Sequence, residues 1–189
     1  MIVIRLREAR FVEGERLLAG PFSLEVAVGE RAAYRCLDEV QAAILARMAA
    51  GLVKATSGSV TIGDYDPAVQ PVQCKRLVGF VAHEPARLER RDLERYVAYR
   101  AALWNVDADA ALERARAQMA QLEGLHAAFA LPLVGALIAR PSVVVLDRPQ
   151  AAYATQILAL VAPCALFTTH VEAGCARAFG PIARALHSA

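Results

Sequence analysis

The chain contains no CxxC pair. Its four cysteines, Cys36, Cys74, Cys164 and Cys175, are far apart in a 189-residue sequence. That argues against a disulfide framework or a cysteine metal knot, and a reduced cytoplasmic chain is the simplest expectation. Long hydrophobic runs are also missing. The longest, Ala127 to Ala139, is too short for a membrane span and holds Pro132 and Gly135. A strong excess of one charge is missing too: the formal net charge is only +2, which gives no case for nucleic acid or an acidic surface as partner. The first residues, MIVIRLREA, alternate apolar and polar as a half-buried strand does, and do not read as a secretion signal. What the chain does have is apolar content, 57% and rich in alanine. At this length that predicts one ordered domain with a sizeable core.

The most organised stretch runs from Gly29 to Gly63. GERAAY reads as a strand, Val40 to Val53 as a helix, and GSVTIG as a second strand. A turn containing Cys36, Asp38 and Glu39 opens the helix. A carboxylate there suits the helix N-terminus, so Asp38 or Glu39 is expected to cap it. Taken alone, these residues read as an ordinary helix start. Downstream, Ser142 to Leu146 (SVVVL) is a continuous apolar run, as expected of a buried parallel strand. Cys164 to Thr168 is another. Leu88 to Leu125 is helical, broken at Asn105-Val106-Asp107, with Asp107 a plausible N-cap. Phe11 to Arg16 reads as a turn, Asp64 to Val72 as a loop, Val171 to Ala178 as a helix, and Pro181 to Leu186 as a last strand.

In order and spacing these segments resemble the nucleotide-binding domain of ATP-binding-cassette (ABC) transporters. The resemblance rests on Gly29-Glu30, on Ala50-Gly51-Leu52 closing the helix, and on Lys54-Ala55-Thr56-Ser57-Gly58, which stands for KPTSG. It is carried further by Arg140-Pro141 leading into SVVVL-Asp147-Arg148-Pro149, and by Thr168-Thr169-His170. It implies an α/β fold of the P-loop NTPase type. An N-terminal antiparallel β part would precede a parallel sheet flanked by helices. One domain would span 1–189, with 1–84 and 131–189 as core and 86–126 as a helical lobe.

The same alignment shows what is missing. The family loop GxxGxGKS/T becomes Cys36, Glu39 and Gln41 at the glycines, Ala42 at the lysine, and Ala43-Ile44 at the Ser/Thr positions. Glycines let backbone N–H groups approach phosphates, lysine adds charge, and a hydroxyl holds magnesium. Here Asp38 and Glu39 would instead meet an anion with like charge, at about 4 kcal/mol per contact for ~4 Å and an effective dielectric near 20. Phe11 falls near the adenine-stacking aromatic, or simply packs on its own hairpin. His83 replaces the metal-ligating glutamine, with no second ligand at suitable spacing. Arg90, Arg91 and Arg95 would line the contact with a membrane subunit, or form a solvated helical face. The LSGGQ signature is absent, and only Glu123-Gly124-Leu125-His126-Ala127 precedes its helix. Asp147, the magnesium aspartate of the family, is kept. The glutamate after it is Arg148, which cannot accept a proton. That arginine is expected to pair with Asp147, Asp38 or Glu39. His170 stands at the switch histidine.

The resemblance therefore implies a degenerate ABC-type subunit, a structural or regulatory partner that does not hydrolyse ATP. Its partners would be a permease membrane subunit and a competent ABC ATPase subunit or a second copy. It would lie at the cytoplasmic face of the membrane through them, with no nucleic acid partner and no cofactor. Two other readings stand beside it. One is a divergent live ATPase that uses ATP and Mg through Asp147 and His170. The other is a free-standing interaction or sensor protein.

Overall fold

A computed structural model describes residues 1–83, 88–162 and 164–181. The N-terminal sequence alternates, and the fold uses that alternation in an antiparallel sheet. Strands β1 (Ile2–Glu13) and β2 (Arg16–Ala27) form a hairpin, and β4 (Ser57–Ile62) pairs along the other edge of β1. The turn is narrower than the expected Phe11–Arg16. Only Gly14 and Glu15 lie between the strands, with Gly14 at φ 59°. The TSG motif is mechanical. Thr56 Oγ1 donates to the Arg10 carbonyl and accepts from the Val12 N–H, both at 2.9 Å. Gly58 passes so close to Glu8 that any Cβ would overlap the Glu8 carbonyl.

A turn at Gly29-Glu30 leads into the second sheet. Strands β3 (Arg31–Arg35), β5 (Val78–Val81), β6 (Val143–Asp147) and β7 (Ala165–His170) are all parallel, in the order β3-β7-β6-β5. Every residue of β6 and β7 is buried, as their unbroken apolar runs require of a strand covered on both faces.

The period of two divides those strands between two cores. Val143, Val145, Ala165 and Phe167 face one cluster, and Val144, Leu146 and Leu166 the other. The first cluster lies between the sheets around helix α1 (Glu39–Ala49), which buries Ala42, Leu45, Ala46, Met48 and Ala49. Small residues let that helix fit between two sheets. It stops short of the expected Val53 because Ala50-Gly51-Leu52 closes it as a Schellman motif. Gly51 N–H donates to the Met48 carbonyl and Leu52 N–H to that of Arg47, with Gly51 at φ 69°.

A short helix α2 (Pro71–Leu77) precedes β5 and begins inside the expected loop Asp64–Val72. Pro71 at its first turn supplies the helical φ, and Cys74 buries against the core. The second core is covered by α3 (Leu93–Trp104), α4 (Ala108–Gln121), α5 (Ala127–Leu137), α6 (Ala154–Leu160) and α7 (Ala173–Phe179). Asn105 ends α3 in the left-handed conformation, and Asp107 Oδ1 accepts the Ala110 N–H at 2.8 Å to start α4. Pro132 sits inside α5 without ending it. Among the described residues no helix is long and apolar enough to cross a membrane. The expected strand Pro181–Leu186 lies outside the described residues, apart from Pro181.

Candidate functional site

Parallel strands point the same way, so their carboxyl ends share one edge, which is where α/β sheets place ligands. Here that edge collects Cys36-Leu37-Asp38 after β3, His83 after β5, Asp147-Arg148 at the end of β6 and His170 at the end of β7. Register sets neighbours: Arg35 lies beside His170 and Asp147 beside Thr169.

The loop from β3 to α1 is only Cys36, Leu37 and Asp38, because α1 begins at Glu39. Several backbone amides at this turn are already engaged. Cys36 N–H donates to the His170 carbonyl at 2.7 Å. Asp38 Oδ1 accepts the Gln41 N–H at 2.8 Å, and Gln41 Oε1 accepts the Leu37 N–H at 2.9 Å. Asp38 is thus the N-cap, one of the two capping residues expected. The Cys36 thiol is buried beside carboxylates. Burial first, then Asp147 and Asp38, push its pKa up to about 12, so it stays protonated and unreactive. Ala42 and Leu45 are wholly buried in the core, and Ile44 packs partly against it. Ala43 is half-buried. Leu37, by contrast, is 86% exposed and Val40 54%.

Asp147 is 1% exposed. Arg148 follows in the left-handed conformation, φ 48°, held by its N–H donating to the Thr169 carbonyl. Its side chain turns back on its neighbour. Nε donates to Asp147 Oδ1 at 3.0 Å and Nη2 to Oδ2 at 3.4 Å. Nη1 lies 3.1 Å from Glu39 Oε2. Thr169 Oγ1 donates to Asp147 Oδ1 at 3.2 Å. Burial opposes the Arg148 charge, but the hydrogen-bonded Asp147 carboxylate and then Glu39 outweigh it. Its pKa sits above the ordinary arginine value. The Glu39 arm is 79% exposed and so contributes little. The Asp147 arm is the buried one.

His170 leaves the other face of the sheet. Alternation turns Asp147 and Thr169 toward the α1 side and His170 toward α7, where its ring stacks on Phe179 at 5.3 Å. Its Nε2 lies 2.9 Å from Thr168 Oγ1. Burial lowers its pKa to about 4, with Asp147 pulling the other way. It is a neutral core histidine at ordinary pH.

His83 Nδ1–H donates to the Arg148 carbonyl at 3.1 Å. Among the described residues no group of three His, Cys, Asp or Glu is gathered as a metal would need. Phe11 lies in β1 opposite Ala19 and packs partly against the first core. Arg90 braces two backbone carbonyls, Leu122 and Leu125, at 3.2 and 3.3 Å. Arg91 and Arg95 pair with Glu89 and Asp92 close by in sequence.

One juxtaposition was not legible in the chain. His83, His126, Phe129, Arg148 and Gln150 line a common cavity of about 340 Å³. His126 caps α5, accepting the Ala128 N–H on Nδ1 at 3.2 Å. Its only sequence signal was its place where the signature loop would stand.

No protein-family model matches the chain, and no curated protein does. Solved structures do. One described as the ATP binding subunit of an ABC transporter superposes with a TM-score of 0.74 at 16% identity, over 94% of this chain and 83% of that one. Another, cbiO1 from Clostridium perfringens, described as part of the ABC transporter complex cbiONQ, gives 0.66 at 14% identity. It covers 89% of this chain and 78% of its own. Two-sheet architecture, strand order and these superpositions agree: the chain has the fold of ABC transporter ATP-binding subunits.

Proposed function

We propose that this chain is a non-hydrolysing subunit on the ABC ATP-binding fold, kept as a structural or regulatory partner in a transporter assembly. Its partners in this reading are a permease membrane subunit and either a competent ABC ATPase subunit or a second copy of itself. It would sit at the cytoplasmic face of the membrane through them.

One observation carries the reading: the fork of Arg148 on buried Asp147. Among the described residues Asp147 is the only acidic side chain buried at the strand ends, and both its oxygens are already matched by an internal cation. A magnesium ion there would have to displace a guanidinium from a carboxylate shielded from water. The opening of α1 supports the same conclusion. Its Asp38 carboxylate occupies the Gln41 amide, and no lysine or glycine cradle is present. Arg148 takes no proton from water. The residues present do not fit ATP and magnesium, and no hydrolytic step is assigned to them.

The test is calorimetric titration of the purified chain with Mg-ATP, alone and with any membrane protein that co-purifies. The expected result is no saturable heat in either case, together with recovery of integral membrane proteins from affinity-purified chain. Saturable Mg-ATP binding by the chain alone would overturn the reading and call for a hydrolysis assay in the complex.

A further inference from the structure

The other end of β6 carries a second cavity, remote from the Asp147 site. It encloses about 430 Å³, within the range of small-ligand pockets. Arg114 and Gln118 reach it from α4, where four-residue spacing puts them on one face. Arg140 enters from the turn after α5. Leu137, Pro141 and Leu160 form its apolar wall.

The charge of this cavity is one-sided. Two guanidinium groups line it and none of the described lining residues is acidic. Among the described residues, neither Arg114 nor Arg140 is in an ion pair. Arg140 also takes the left-handed conformation, φ 52°, which a residue with a Cβ rarely adopts and which is less expected still before proline. Cys164 completes the wall as a neutral group. Its thiol lies 3.1 Å from the Pro141 carbonyl, to which it donates. The cavity thus offers two unmatched cations and an amide above a small apolar floor, with Leu137 and Leu160 almost wholly buried.

We infer that this cavity binds an organic oxyanion: a carboxylate or phosphate head held by Arg114 and Arg140, on a compact apolar body resting against Leu137, Pro141 and Leu160. Guanidinium forks suit either head, because each presents parallel N–H groups to paired oxygens. The site is separate from the one at the strand carboxyl ends and stands whether or not that one binds nucleotide.

The full-length chain is titrated calorimetrically with benzoate, phenyl phosphate and, as a neutral control, benzyl alcohol. Saturable binding of at least one anion is expected, with none of the alcohol. The stronger anion identifies the head. Arg114→Ala and Arg140→Ala should each weaken binding about 10- to 100-fold, the loss of one charged hydrogen-bonding group. Arg140→Lys, which keeps the charge but not the fork, should weaken it less and serves if an alanine variant fails to fold. In a Cys175→Ser background, bound anion should also slow modification of Cys164 by a thiol reagent. Absence of saturable binding at millimolar anion overturns the inference. So does binding unchanged by either arginine substitution, or equal binding of the alcohol.

Discussion

Arg148 follows Asp147 directly in the chain, yet its guanidinium lies forked on that neighbour's carboxylate, Nε to Oδ1 at 3.0 Å. The left-handed backbone at Arg148 makes the return possible. Removing the cation leaves a carboxylate 1% exposed with, among the described residues, only Thr169 as side-chain donor. Arg148→Ala should therefore destabilise the chain by roughly 3 kcal/mol, as breaking a buried pair does. Urea midpoints of the two proteins measure it. An unchanged midpoint would mean that the pair contributes nothing net.

The amide of Gln41 depends on one carboxylate oxygen. Asp38→Ala should cost about 1 kcal/mol, while Asp38→Asn, which keeps an acceptor, should cost much less. The pair is compared by thermal melting. Equal losses would show that charge, and not the cap, is what matters there.

Ala42 aligns with the phosphate-loop lysine but has no exposed surface. Ala42→Lys should leave Mg-ATP binding absent and should lower stability by several kcal/mol, because an ammonium cannot be buried unpaired. Solubility and melting temperature report it. A stable variant that binds Mg-ATP would show that the helix start can reopen as a phosphate cradle.

His170 has a folded pKa near 4 against an ordinary 6.5. Above pH 6.5 it is neutral in both states and stability is unaffected. Below 6.5 the unfolded chain takes up a proton that the folded one refuses, so stability falls as pH drops and levels off below about 4. The full loss is on the order of 3 kcal/mol. Urea midpoints between pH 7 and 4 should show the decline in the parent chain and less of it in His170→Gln. Parallel slopes in the two proteins would assign the decline to other groups.

How much of this was legible depended on whether the cause was local. The close of α1 was marked by the glycine of Ala50-Gly51-Leu52, although the helix was expected to run to Val53 and ends at Ala49. The start of α4 at Asp107 was legible too, because it needs one side chain three residues from one amide. The length of β1 was not. Phe11 and Val12 have turn-like neighbours in Gly14 and Glu15, but pairing with β2 and β4 extends the strand to Glu13. Helix α2 was missed for the converse reason: only Cys74 of its seven residues is buried, so no apolar period marks it.

The sequence by itself determined the elements that local chemistry controls. These are the buried β6 and β7 from unbroken apolar runs, the carboxylate caps of α1 and α4, and the absence of the lysine and glycines a phosphate cradle needs. It also narrowed the partner of Arg148 to Asp147, Asp38 or Glu39. The tertiary structure decided among them. Asp147 and Glu39 approach the guanidinium from different elements, while Asp38 is committed to Gln41. It also put Asp147 and His170 on opposite faces of one sheet, and His126 beside the cavity of His83. Such pairings depend on strand register and on which helix covers which face. Those are settled by burying the whole core at once, and no window of sequence contains them.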